Sequence, residues 1–180
     1  NLTFNMNTFN NNSKRGFTII EMLVAVFIFT VSISALTLMA GKGIRAANDS
    51  QRNITAEFLA VEAMEVVRNI RDSALISSGA TGVNSTFTAS GCYNLPSDAD
   101  QNKTCSFEYS GSGVPSLDDC SSCEIFLGST GYTYTTTATT TPFVRKIYLH
   151  KISEGEVRVT VLVQWGDEEV EYYQNLFLWG

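Results

Sequence analysis

The sequence has a single histidine, His150, and only three prolines, none before Pro96. A Ser-His-Asp machinery would have to use His150, and no serine sits in a nucleophile-elbow context, so an enzyme is not expected. Cations are scarce too: 12 Lys+Arg stand against 18 Asp+Glu, for a formal net charge of −6. Phosphate binding needs clustered cations, so no nucleic acid is expected as a primary partner. Gly111-Ser112-Gly113 has no following lysine and is not a phosphate loop. Acidic residues are absent before Glu21, and no charge of either sign occurs from Met22 to Ala40. Cysteine is confined to the stretch from Cys92 to Cys123.

The charge-free stretch shapes the chain. As a helix rising about 1.5 Å per residue, it comes close to spanning the ~30 Å hydrocarbon core of a bilayer. Ahead of it lies a polar, Asn-rich segment ending in Lys14-Arg15-Gly16. A secretory signal has its small-residue cleavage site after the apolar run. Here the small residue precedes it, so a cut after Gly16 removes a polar leader and keeps the membrane segment. Glycine suits that position because its bare backbone can enter a tight protease cleft. Lys14 and Arg15 favour a cytoplasmic N-terminus, while Lys42, Arg45 and Arg52 on the other side weaken that asymmetry.

Lys14-Arg15-Gly16-Phe17-Thr18-Ile19-Ile20-Glu21, leading into an apolar run, resembles the processing motif of type IV prepilins and pseudopilins. The resemblance covers roughly the first quarter of the chain. It implies cleavage after Gly16 by a prepilin peptidase, N-methylation of Phe17, and an assembly role for Glu21. Independently of it, a carboxylate just inside a bilayer is costly, by about 2.5–3.5 kcal/mol, and calls for a partner. The new Phe17 amine is one; snorkelling to the headgroups is the plainer alternative. The resemblance also implies other pilin or pseudopilin subunits, an inner-membrane assembly platform and membrane lipid as partners. The expected location is the inner membrane, single-pass, then a cell-surface or extracellular filament.

Beyond the run, Ile44, Ala47, Ile54, Phe58, Val61, Met64, Val67, Ile70 and Ala74 recur at helical spacing, widened by Leu59, Ala63 and Val66. One helix is predicted from about Phe17 to about Leu75, with the Ile54–Ala74 face on a sheet. Gly41 and Gly43 are its weak point, for bending or for close packing. Glu65 is placed to pair with Arg68, and Arg68 with Asp72. Val157, Val159, Val161, Val163 and Trp165 alternate with more polar residues and predict a strand. Phe143–Ile152 and Val170–Leu178 flank it, and Tyr132–Thr139 is a candidate fourth strand. The fold class expected is α+β, similar to the pilin lollipop: a long N-terminal helix on a small C-terminal antiparallel sheet, with a Cys-containing loop region between. The expected organisation is leader 1–16, transmembrane half-helix 17–40, amphipathic half-helix 41–75, variable loop region 76–131 and sheet 132–180.

The four cysteines lie in a loop-like composition that gains from covalent staples outside the cytoplasm. Cys120-x-x-Cys123 has redox and zinc readings, with Cys92 and Cys105 as further ligands, but structural disulfides are favoured over both. Four cysteines allow three pairings, of which Cys92–Cys105 with Cys120–Cys123 is preferred. Asp98, Asp100, Asp118 and Asp119 lack EF-hand spacing and read as solvated carboxylates. No metal and no cofactor are expected. The function expected is a structural subunit of a type IV pilus or type II secretion-like pseudopilus. Its length and the Glu65–Arg71 run suggest a minor one. The alternative is a tip or adhesive subunit binding a surface, a glycan or DNA.

Overall fold

The apolar run and the amphipathic stretch after it form one helical element, α1 (Ile19–Ser78). The computed structural model describes residues 16–78, 87, 92–94, 103–108, 113–129 and 131–177. It divides the chain into two units, Asn1–Asn48 and Asp49–Gly180. The helix starts two residues later than the spacing predicts because Thr18 caps it. The Thr18 carbonyl accepts from the amides of Glu21 (3.1 Å) and Met22 (3.2 Å), and its hydroxyl accepts from the Glu21 amide at 3.3 Å. A hydroxyl at this place satisfies one of the amides that a helix start leaves unpaired.

In the first unit every described residue is exposed, Phe17 and Ile19 by 80% and 84%. The helix is long and apolar enough to cross a membrane. The run's four hydroxyls turn back onto the helix. Thr30 donates to the Phe27 carbonyl (2.8 Å), Ser32 to Ile28 (2.7 Å), Ser34 to Thr30 (2.8 Å) and Thr37 to Ile33 (2.9 Å). Unpaired donors in hydrocarbon are costly, and this back-bonding removes them. Gly41 and Gly43 are both helical, and a Cβ on either would meet nothing within 4 Å.

In the second unit the buried face of α1 keeps Leu59, Ala63, Met64, Val66 and Val67 of the predicted stripe, adds Ala56 and Ala60, and leaves out Ile54, Phe58 and Val61. Those three are exposed by 51%, 71% and 48%.

The sheet is organised by β6 (Thr139–Ser153), β7 (Glu156–Trp165) and β8 (Glu168–Phe177), an antiparallel meander. Val157, Val159, Val161 and Val163 are fully buried, and Trp165 nearly so. β-Branched side chains at period two suit a pleated, one-sided core. The other side of β6 takes up β1 (Tyr93–Asn94), β2 (Cys105–Glu108) and β4 (Glu124–Leu127). The β1 pairing is parallel, an addition to the expected meander. β3 (Ser116–Asp119) pairs with β2, and β5 (Tyr132–Thr133) with β4. The candidate fourth strand Tyr132–Thr139 is thus cut to two residues, followed by a turn; Thr139 already belongs to β6. Leu178 lies outside the described residues.

Candidate processing and assembly site

Gly16, Phe17 and Thr18 precede the first helical residue. A Cβ on Gly16 would meet nothing within 4 Å. The chain's own packing therefore imposes no glycine there. Glu21 stands in the first turn of α1 as its only acidic residue, exposed. It lies three positions after Thr18, and that Thr-x-x-Glu spacing before an apolar run is a helix-start signature that apolar periodicity does not register. A carboxylate near the positive end of the helix dipole also favours the helix start electrostatically. Lys14 and Arg15 lie outside the described residues.

The cysteines are joined as Cys92–Cys105 and Cys120–Cys123, with Cα–Cα separations of 5.3 and 5.2 Å. The first bridge links the residue before β1 to the first residue of β2 and is buried; in the second Cys123 is buried, Cys120 partly so. Cys123 has φ of 54°, a left-handed conformation uncommon outside glycine, which bends the short loop back on itself. Asp118 accepts from the Ser116 hydroxyl at 3.1 Å. Asp98 and Asp100 lie outside the described residues. Among the described residues no group of three or more His, Cys, Asp or Glu side chains could hold a metal ion.

A charged cluster that sequence reasoning passed over ties α1 to the sheet. Arg145 is fully buried. Its Nη1 donates to the Glu62 carboxylate (2.6 Å) and to the Leu59 carbonyl (3.0 Å), and its Nε donates to the Tyr134 hydroxyl (2.9 Å). The guanidinium lies 4.3 Å from the Phe107 ring centroid, a cation–π geometry. Nη2 has no partner among the described residues. Burial pushes the Tyr134 phenol up from its ordinary value. Arg145 opposes that with its charge and hydrogen bond, and Glu62 adds to it. The signal was available: Arg145 occupies an inward position between Phe143 and Ile147 in an alternating strand. Of the predicted helix pairs, Glu65–Arg68 forms. Arg68–Asp72 does not, because Arg68 reaches Gln174 at 2.6 Å and Arg71 takes Asp72 at 2.7 Å.

Neither curated proteins nor solved structures give a match to this chain. The family model of the prokaryotic N-terminal methylation motif, however, matches residues 11–37. That stretch spans the glycine, the phenylalanine, the glutamate and most of the charge-free helix described above. The motif implies processing by a prepilin peptidase and assembly with other pilin subunits, and it points to a structural subunit. Together with the exposed apolar helix it fits a pilin anchored in the inner membrane, and the chain carries a type IV pilin-like prepilin leader.

Proposed function

We propose that the chain is a structural subunit, of the minor class, of a type IV pilus or type II secretion-like pseudopilus. The observation that carries this reading is the order of features at the N-terminus. Gly16 is needed by no contact of the fold, Phe17 follows it, and Glu21 is the sole charge from Phe17 to Ala40, at the head of a fully exposed helical run. Such an order makes sense when the cut after Gly16 frees an amine at Phe17, methylated in the same process. The anchored helix is then drawn from the inner membrane at an assembly platform and packed against those of other subunits. Glu21 supplies the counter-charge for the Phe17 amine of a neighbour.

Replacing Glu21 tests the assembly step. Glu21→Ala removes the one charge of the apolar run, so membrane insertion and leader cleavage are expected to be unharmed. A desolvated ammonium left without its counter-charge is strongly unfavourable. The ratio of sheared filament material to membrane-retained protein is therefore expected to fall well below that of the wild type. Equal ratios with normal cleavage in both would remove the assembly role and leave Glu21 as a residue that reaches the headgroups.

A further inference from the structure

Strand β8 pairs with β7 and, among the described residues, with no other strand. Half of its backbone amides and carbonyls therefore point away from the sheet, a template for another strand. Its side chains split by alternation. Val170, Tyr172, Gln174 and Leu176 share the face turned toward α1, where Leu176 is buried and Val170 packs against the core. Glu169, Glu171, Tyr173 and Phe177 share the outer face and are exposed.

Two further features adjoin this edge. A groove of about 210 Å³ runs between it and α1, lined by Ala60, Val61, Met64, Arg68, Tyr172 and Gln174 among others. From Val61 the exposed stripe continues to Phe58 and Ile54. At the strand's beginning a second, larger groove of about 850 Å³ is lined by Asp49, Glu57, Asp167, Glu168 and Glu169, with Arg52 the only cation in its lining. The edge thus offers open backbone groups short of Phe177, whose carbonyl accepts from Arg71 Nη1 at 3.5 Å, an apolar wall on its inner side and a concentration of negative charge at one end.

We propose that the β8 edge is a strand-addition site for an extended segment of a partner protein in which apolar residues alternate with Lys or Arg. In an added strand, residues opposite Val170 and Tyr172 face inward and cover the groove beside Val61. Those opposite Glu169 and Glu171 face outward, where opposite charges on neighbouring strands attract. Main-chain hydrogen bonds supply affinity and the alternating side chains supply selectivity. A second copy of β8 is a poorer occupant, since Glu168–Phe177 contains no Lys or Arg to meet the carboxylates. The negative edge equally disfavours nucleic acid and anionic lipid. The proposal goes beyond filament assembly through Glu21 and stands whether or not that assembly role holds.

The full chain in detergent micelles can be titrated with a fluorescent ten-residue peptide of alternating Val and Lys, the length of β8. Empty micelles correct for peptide taken up by detergent. Controls are a peptide of the same composition in two blocks and one of alternating Val and Glu. The alternating Val-Lys peptide is expected to bind about tenfold or more tighter than either control, less so in high salt. It should slow hydrogen exchange of amides within Glu168–Phe177. The double variant Glu169→Lys, Glu171→Lys changes only exposed outer-face residues and is expected to lose most of that preference. Equal binding of the block or Val-Glu peptide, protection of amides elsewhere, or an unchanged affinity in the double variant would each overturn the proposal. So would protection of β8 that rises with protein concentration in the absence of peptide, which would assign the edge to a second copy.

Discussion

Arg145 and Glu62 are unequal partners, and the inequality is measurable. The arginine side chain is 0% exposed and the glutamate side chain 37%. Deleting the carboxylate strands a cation in the interior, whereas deleting the cation leaves a carboxylate that water can reach. Glu62→Ala is therefore expected to destabilise by about 3 kcal/mol and Arg145→Met by roughly 1–2 kcal/mol, in denaturant titrations of the full chain in detergent. Equal losses would mean the pair is worth no more than its packing. The tyrosines add a dependence on alkali. Burial, with Glu154 adding to it, pushes the Tyr93 phenol up from 10.0 to about 12, and burial raises Tyr134 as well. The folded state then holds protons that the unfolded state releases, so stability is complete below pH about 10 and falls as pH rises through the folded values. Phenolate absorbance should lag behind free tyrosine, and Tyr93→Phe should flatten the alkaline loss of stability. At this scale the sequence was legible where chemistry is local: Gly16, Phe17 and Glu21 stand in a fixed order. Arg145 was not, because its partners Glu62 and Tyr134 are distant in sequence and only folding brings them together.

Among the elements, β6 and β7 of the meander were readable because their period is two and each has one buried face, while β8, with only Leu176 buried, follows from its place beside them. The packing face of α1 was readable only in part. Both flanks of the helix are apolar, and periodicity alone does not say which of two apolar stripes meets the sheet. Leu59, Ala63, Met64, Val66 and Val67 make the predicted contact and Ala56 and Ala60 join it, leaving Ile54, Phe58 and Val61 outward. The short strands β1 to β5, of two to four residues each, fall below what alternation can reveal. They are held where they are partly by covalent closure. Non-reducing mass mapping should find no free thiol among the four cysteines. The Cys92–Cys105 loop is expected to lose about 2–3 kcal/mol of local stability on reduction, with exchange rising in β1 and β2 before β7. Four free thiols in protein from an oxidising compartment would contradict the bridges.

At the scale of the whole molecule, processing changes both length and charge. The mature protein is expected to begin at Phe17, carrying a methyl group on its amine. Losing Lys14 and Arg15 with no carboxylate makes it more acidic than the −6 of the full sequence. Intact-mass measurement of the membrane or filament fraction checks this. A chain still carrying residues 1–16 in peptidase-positive cells would count heavily against the filament reading. The α+β architecture was legible because the apolar run, the amphipathic stretch and the alternating strands each have a distinct period.

The two disulfides have a mechanical consequence. Cys92–Cys105 and Cys120–Cys123 close short loops within the sheet region, and neither reaches α1. The bond sequence from Asp49 to the sheet therefore contains no covalent shortcut. A tension applied to the helix is borne by the buried apolar seam, by the Arg145 clasp on Glu62 and the Leu59 carbonyl, and by the Arg68 bond to Gln174. Those contacts lie side by side along the helix rather than in series. A pull along its axis must shear them together, which is the loading that non-covalent bonds resist best.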